Sequence, residues 1–248
     1  MTTTQLTLPR QSHTADGPHD QTGMYVMHHA LRRDLVDFTS AVRRTPLYAA
    51  DTWQALRRRW ARFAAELHHH HGAEDDLFWP ALLESVRRRG DDGDRAEVAA
   101  MEDEHAAIDP AVTRCAEGFA AMANGPDEDL RRDLLADLGT LHDGLEAHLR
   151  HEESVVLPMI QRVMTDEEFT TAEQAVARSH PMRTASFTVP WAMSGLSDEG
   201  RERMFALAGA PYRVIYALSR RRFARRERAA FRYRGHDDAH RAPAADRR

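Results

Sequence analysis

Apolar residues recur at steps of three and four along four long stretches of the chain, a spacing that places them on one face of a helix. Turn-forming residues separate the stretches near positions 45–46, 90–93 and 124–126. No segment shows the alternating pattern typical of a half-buried strand. The pattern predicts an all-α fold, in which short connections join antiparallel neighbours of an up-down four-helix bundle over residues 22–164.

Each of the four apolar stripes is interrupted only by histidine or glutamate. The six interrupting residues are His28, His70, Glu74, His105, His148 and Glu152. Such side chains are costly on a buried face unless they are paired or bind a metal. A purely structural polar layer is the alternative, but interruptions on all four stripes, confined to metal-ligand types, favour a metal site inside the bundle.

One motif occurs twice, on the second and fourth stretches. In both copies a histidine precedes a glutamate by four residues, and a proline, Pro80 or Pro158, follows six residues later. The four-residue step puts histidine and glutamate one turn apart on the same helical face, where both side chains can reach one metal centre. Proline lacks an N–H group, so we expect both helices to bend or restart just past the ligands.

These motifs resemble the hemerythrin-like family, also described as the HHE cation-binding domain. The resemblance covers roughly residues 22–164 and rests on the segments YVMHHALRRDL, HHHHGAEDDLFWP, EDEHAAI and HLRHEESVVLP. It implies a four-helix bundle holding a centre of two non-haem iron ions, bridged by carboxylates and by an oxo or hydroxo group. The six interrupting residues are the metal ligands that it implies.

The chain departs from the oxygen-carrying members of that family at one position. Those members have a second histidine on the third helix, one turn before the first, where this chain has Met101. The resemblance then implies six protein ligands and an open metal position, which favours sensing or redox chemistry over simple oxygen carriage. Asp109 and Glu153 are alternatives for an additional carboxylate ligand.

The residue types also restrict the metal. Cys115 is the only cysteine, which excludes a disulfide framework and a cysteine-ligated zinc site. A mixture of imidazole and carboxylate without thiolate suits iron, while zinc and manganese remain alternatives.

The chain contains 15 histidines, and most of them do not fit a ligand position. His29 lies about 100° around the helix from His28, so the ligand role falls to His28. His68, His69 and His71 form a run with His70, and we expect all three to point off the stripe into solvent.

The two ends of the chain differ from the bundle in composition. Residues 1–21 are mostly polar and we expect a disordered tail there, with another at 235–248. Between them, residues 165–234 are expected to form a helical extension. Thr165 and Glu168 resemble a capping box, and a basic helix is predicted over residues 211–234 with Val214, Ile215, Leu218 and Phe223 on its apolar face.

Charge is distributed unevenly along the chain, in which every basic residue is arginine. Residues 196–248 contain 14 arginines and 7 acidic residues, whereas the remainder contains 20 arginines and 32 acidic residues. The acidic body disfavours nucleic-acid binding. The basic helix is expected to pack on the acidic bundle, with an anionic membrane surface or an acidic partner as alternatives.

Three functions are compatible with this sequence. The first is a protein that binds or senses oxygen, peroxide or nitric oxide at the metal centre. The second is a peroxide-decomposing, catalase-like enzyme, although the sequence identifies no acid or base outside the ligands. The third is iron or zinc storage. The single cysteine, and the lack of a long apolar run or a signal-peptide pattern, suggest a cytoplasmic location.

Overall fold

The computed structural model describes residues 2–235 and confirms the all-α prediction. Within these residues the only β-type pairing is an isolated bridge between Thr3 and Gly17. The helices of the bundle region are α1 (Thr22–Arg44), α2 (Ala50–Ala73), α3 (Trp79–Arg89), α4 (Asp92–Asn124), α5 (Glu128–His151) and α6 (Leu157–Val163). Helices α1 and α4 each contact both α2 and α5, which closes the four long helices around a shared core.

A π-helical turn separates the glutamate from the proline in each copy of the repeated motif. The turns span Glu74–Phe78 and Glu152–Val156. The N–H of the residue after each turn, Trp79 or Leu157, donates to the carbonyl of the glutamate that begins it. Pro80 and Pro158 then lie in the first turn of α3 and α6. Because proline lacks an N–H and clashes with the carbonyl four residues earlier, the wider turn absorbs the break. As predicted, both helices restart just past the glutamates.

The bundle core consists of two apolar clusters. One contains Phe38, Trp60 and Phe119, whose rings pack with centroids 4.9–5.3 Å apart. The other contains Trp79, Met101 and their apolar neighbours on α3, α4 and α6. The six predicted ligands belong to neither cluster and occupy the layer between them, so the polar layer has apolar packing above and below it.

Residues 2–21, named here the N-terminal strap, lie against the bundle instead of forming the expected disordered tail. The Gln5 side chain donates to the carbonyl of His19 at 2.7 Å and accepts from the N–H of Gln21 at 2.9 Å. The N–H of Ala15 donates to the hydroxyl of Tyr25 at 2.9 Å. The expectation of disorder considered only the low apolar content, whereas these contacts are specific polar pairs that satisfy the strap's backbone.

The C-terminal extension is helical, as expected. It contains α7 (Asp166–Ser179), α8 (Ala185–Ala192), α9 (Asp198–Ala208) and α10 (Ala210–Ala230). The predicted capping box of Thr165 and Glu168 begins α7. Apart from Gly235, the tail predicted over 235–248 lies outside the described residues.

Helices α8 and α10 pack on the bundle through a buried network of charged residues. Arg59 of α2 donates to Asp34 of α1 at 2.5 Å and to Glu227 of α10 at 2.6 Å, and Trp191 of α8 donates to the same Asp34 at 2.8 Å. Phe223 is buried against the bundle.

The predicted apolar face of α10 is wrong at two positions. Val214 and Leu218 are 58% and 80% exposed. The predicted Phe223 does face the core, but it shares that face with Ser219. Among residues 2–235, none of the helices has the length and apolar character that crossing a bilayer requires.

Candidate metal centre

Seven metal-ligand side chains meet in the layer between the two apolar clusters, and they form two groups. The inner group consists of His28, His70, Glu74 and Glu152. The outer group consists of His71, His105 and His148. Within each group the ligand atoms lie within 4.8 Å of one another, and all seven side chains are buried. The structure thus brings together all six residues that the sequence predicts and adds His71.

The two glutamates lie between the groups. Glu74 places one carboxylate oxygen 3.4 Å from His70 Nε2 and the other 3.6 Å from His105 Nε2. Glu152 Oε2 lies 3.1 Å from His28 Nε2 and 3.8 Å from His148 Nε2. Each carboxylate therefore reaches one histidine of the inner group and one of the outer group, as a ligand shared by two ions must.

Most of the inward-facing atoms have no hydrogen-bond partner. This holds for Nε2 of His28, His70 and His71 and for both carboxylate oxygens of Glu74 and Glu152. The 3.1 Å approach of His28 to Glu152 lacks the angles of a hydrogen bond. Buried carboxylates without partners are strongly destabilising, and a bound cation removes this cost. The donor set consequently fits metal ions better than it fits a closed polar network.

Three of the five histidines contact a second carboxylate through the ring nitrogen that faces away from the centre. The Nδ1 atoms of His28, His105 and His148 lie 3.0, 2.8 and 2.9 Å from Glu153, Asp75 and Glu104, respectively. A carboxylate acceptor keeps the proton on Nδ1 and leaves Nε2 as a free donor of electrons toward the centre. This arrangement is typical of metal-binding histidines.

Neither alternative for an additional carboxylate ligand joins the two groups. Glu153 is fully buried, but its oxygens contact His28 Nδ1, the guanidinium of Arg32 and the N–H of Ser12. It therefore orients a ligand instead of facing the centre. Asp109 is exposed on the outer surface of α4.

A chain of polar contacts connects the outer group with the protein surface. Glu104 contacts His148 Nδ1 with one oxygen and His151 Nδ1 with the other, at 2.9 and 2.7 Å. His151 Nε2 lies 2.9 Å from Glu97, which is 44% exposed. The path from the inner group is longer and its first members are buried: Glu153 accepts from Ser12 of the N-terminal strap and from Arg32, and Arg32 also donates to Glu146, which is 25% exposed.

Electrostatics keep two of the histidines neutral. Burial lowers the pKa of His70 to about 3, and it lowers the pKa of His71 well below the ordinary value, assisted by the neighbouring histidines. A metal-binding imidazole must be unprotonated. These two side chains consequently meet that requirement at neutral pH without releasing a proton.

The glutamates have opposite environments. Burial and the nearby Glu152 raise the pKa of Glu74 well above its ordinary value. Burial also opposes ionisation of Glu152, but the charge and contact of His28 outweigh it and lower the pKa of Glu152 to about 2. Burial likewise opposes protonation of His28, yet Glu152 and Glu153 raise its pKa to about 9. Without a metal, the charge of Glu152 is thus balanced only by His28, in an ion pair that lacks hydrogen-bond geometry, and Glu74 has no such counter-charge.

His71 is the residue that the sequence reasoning missed, since its expected exposure to solvent is wrong. Its ring is 4% exposed and stacks on the ring of His105, with centroids 4.0 Å apart. A signal was present in the sequence: His71 precedes Glu74 by three residues, a step that also shares a helical face. Met101 occupies the position at which the oxygen-carrying proteins have a second histidine, and it lies in the adjacent apolar cluster.

Comparison with protein families gives one match. The model described as hemerythrin HHE cation binding domain matches residues 20–160, which is more than half of the chain. Comparison with curated proteins and with solved structures gave no match. The matched range contains both groups of the candidate metal centre.

Proposed function

Because the chain belongs to the hemerythrin HHE cation-binding domain family, we propose that it holds two non-haem iron ions and binds or senses oxygen, peroxide or nitric oxide. One observation carries the proposal: the seven buried ligands divide into two groups that share two glutamates. Carboxylates that reach both groups suit a pair of neighbouring ions better than a single one.

The division of ligands between the two ions follows from the contacts. His28 and His70 would hold the ion of the inner group, and His71, His105 and His148 would hold the ion of the outer group. Glu74 and Glu152 would bind both ions. This set of imidazoles and carboxylates suits iron, with zinc and manganese as alternatives. When bound, iron supplies a redox-active centre that can react with oxygen, peroxide or nitric oxide.

The surrounding side chains keep the ligands in place and exclude water. Glu153, Asp75 and Glu104 hold the Nδ1 protons of three histidines, which keeps their Nε2 atoms turned inward. Apolar side chains close the layer on both sides, with Leu67 in one cluster and Phe78 in the other. A small ligand therefore has to enter a buried, preformed site, which suits an uncharged diatomic molecule or peroxide.

Metal analysis and absorption spectroscopy of the purified full chain test this proposal. We expect about two iron ions per chain and a visible absorption spectrum that changes on addition of oxygen, peroxide or nitric oxide. The matched variants are His105→Ala, which removes an outer ligand, and His142→Ala, which removes a histidine that is 42% exposed and contacts Asp143. Only His105→Ala should lose iron and the spectral response.

Three outcomes would overturn part or all of the proposal. Zinc as the sole bound metal, with no iron uptake by the metal-free chain, would contradict it entirely. Sustained oxygen evolution from peroxide would instead assign the catalase-like activity. Release and uptake of iron without any response to the three small ligands would assign storage.

A further inference from the structure

A cavity of about 750 Å³ lies between α1, α8 and α10, outside the metal centre. Its volume falls in the range of pockets that bind small molecules. Six arginines contribute to its lining, namely Arg33, Arg220, Arg221, Arg228, Arg232 and Arg234. Among residues 2–235, the only acidic residues in the lining are Asp37 and Glu227, so the described lining carries an excess of positive charge.

Both acidic residues are already paired. Asp37, which is 5% exposed, accepts from Arg234. Glu227 accepts from Arg59, which reaches it from α2 at 2.6 Å. Asp37 therefore balances Arg234, and Glu227 is balanced by Arg59, which is not part of the lining.

Arg33 is also satisfied by the protein itself. It donates to the carbonyls of Ser194 and Trp191 and forms an ion pair with Asp34. Gly195 next to this contact has φ +81°, in the left-handed region that favours glycine, and a Cβ there would lie 3.1 Å from His29 Nε2. This side of the cavity is thus a fixed wall.

The remaining four arginines are different. Within residues 2–235, the guanidinium groups of Arg220, Arg221 and Arg228 form no hydrogen bond or ion pair. The guanidinium group of Arg232 lies over the ring of Tyr233 and has no other partner there. Arg220 and Arg228 are eight residues apart on α10, which places them on the same helical face two turns apart. Like charges held together without counter-charges are unfavourable, and an anionic ligand would relieve this.

We propose that this cavity binds the phosphate groups of an anionic ligand through Arg220, Arg221, Arg228 and Arg232. The planar guanidinium group donates two parallel hydrogen bonds, a geometry that matches phosphate oxygens. Tyr216, which also lines the cavity, provides an aromatic surface for the uncharged part of the ligand. The phosphate comes either from a soluble molecule or from a phospholipid headgroup.

Two probes distinguish these sources, and both use the full chain loaded with metal. Inorganic pyrophosphate is titrated in a calorimeter. Separately, binding to vesicles of phosphatidylcholine with phosphatidic acid is compared with binding to vesicles of phosphatidylcholine alone. Pyrophosphate binding indicates a soluble ligand, and binding only to the phosphatidic acid vesicles indicates a headgroup. Raised salt should weaken binding in either case.

The test variant is the triple substitution Arg220→Gln, Arg221→Gln and Arg228→Gln. We expect it to weaken binding by about tenfold or more, since each charge-assisted hydrogen bond contributes substantially to affinity. The matched control removes three other exposed arginines, Arg95, Arg114 and Arg132 on α4 and α5, and lowers the net charge equally. The control should bind like the unchanged chain.

Thermal unfolding of both triple variants checks that each retains the fold. The proposal is overturned if neither probe binds the unchanged chain. It is also overturned if the control loses as much affinity as the test variant, because attraction would then depend on net charge and not on this cavity.

Discussion

The inner and outer groups of the metal centre use the same residue types in contrasting surroundings. Around the inner group, His28 contacts Glu153, which is fully buried and ion-paired with Arg32. Around the outer group, the corresponding carboxylates are Asp75 and Glu104, whose side chains are 26% and 32% exposed. The outer group therefore meets partly exposed carboxylates directly, whereas the inner group reaches the partly exposed Glu146 only through the buried Glu153 and Arg32.

This contrast separates two tasks that a pair of ions can share. A buried network has fixed geometry, but each of its members is costly to disturb, because a lost partner leaves an unpaired charge. Carboxylates near solvent are easier to rearrange, since water can replace a missing contact. We therefore expect the inner group to determine stability and the outer group to respond to incoming ligands.

Metal removal should have the largest effect. With free metal at about a thousand times its dissociation constant, binding stabilises the folded chain by about 4 kcal/mol, and a chelator should remove that amount. Thermal unfolding followed by circular dichroism, with and without chelator, measures the change. His142→Ala serves as the control and should respond like the unchanged chain. An unfolding midpoint that does not change when the chelator is added would contradict the assignment of both groups as metal sites.

Truncation of one histidine from each group tests the contrast directly. In the metal-free chain, His28→Ala should lower the free energy of unfolding by about 3 kcal/mol, because it leaves Glu152 buried without its counter-charge. His71→Ala should cost only about 1–2 kcal/mol, since within residues 2–235 the ring of His71 contacts no carboxylate.

Urea denaturation gives these values, and metal analysis accompanies it. Each variant should retain about one of the two ions. Equal destabilisation by the two substitutions would show that the groups do not differ as their surroundings suggest.

Substitution of the carboxylates that contact histidine Nδ1 atoms should have an intermediate effect on metal binding. Glu153→Gln should weaken metal affinity by about 10- to 100-fold, because His28 loses its charged acceptor inside the protein. Glu104→Gln should weaken it less, since solvent can reach Glu104. Competition with a chromophoric chelator measures both affinities, and Glu128→Gln on the exposed start of α5 is the control. A larger loss for Glu104→Gln would reverse the proposed order.

Acid titration of a distant site supplies a baseline for these comparisons and should have the smallest effect. Hydrogen bonds from Arg89 and from the N–H of Thr165 lower the pKa of Glu168 from 4.5 to about 2. A carboxyl with a depressed pKa stabilises the fold above pH 4.5, and this contribution is lost as the pH falls toward 2.

Glu168→Gln removes that contribution, so the variant should lose less stability than the unchanged chain between pH 4.5 and pH 2. Unfolding midpoints recorded across this range provide the measurement. Parallel curves for the two proteins would mean that Glu168 has no part in the acid response.

The bundle and most of its centre could be predicted from the sequence, for a physical reason. Helical periodicity determines which side chains face inward, and a histidine or glutamate on such a face has few explanations other than a ligand. His28, His105 and the paired His148 and Glu152 follow from this rule alone. The restart of both helices follows from the chemistry of proline in the same way.

What could not be predicted depends on contacts between distant segments. His71 lies off the stripe, and its burial depends on the ring of His105 from another helix. The N-terminal strap has little apolar content, so composition gives no sign that Ser12 and Ala15 find partners on the bundle. The register of α10 likewise depends on which of its faces meets α2 and α8.

The contact between Ser12 and Glu153 has a consequence for how the chain matures. The two residues are 141 positions apart, so the strap is synthesised first but cannot dock until the end of α5 has left the ribosome. Until then the inner group lacks its cover, and Glu153 is not yet present to orient His28. Docking of the strap therefore follows the synthesis of all seven ligands, and the docked strap covers the Glu153 side of the inner group.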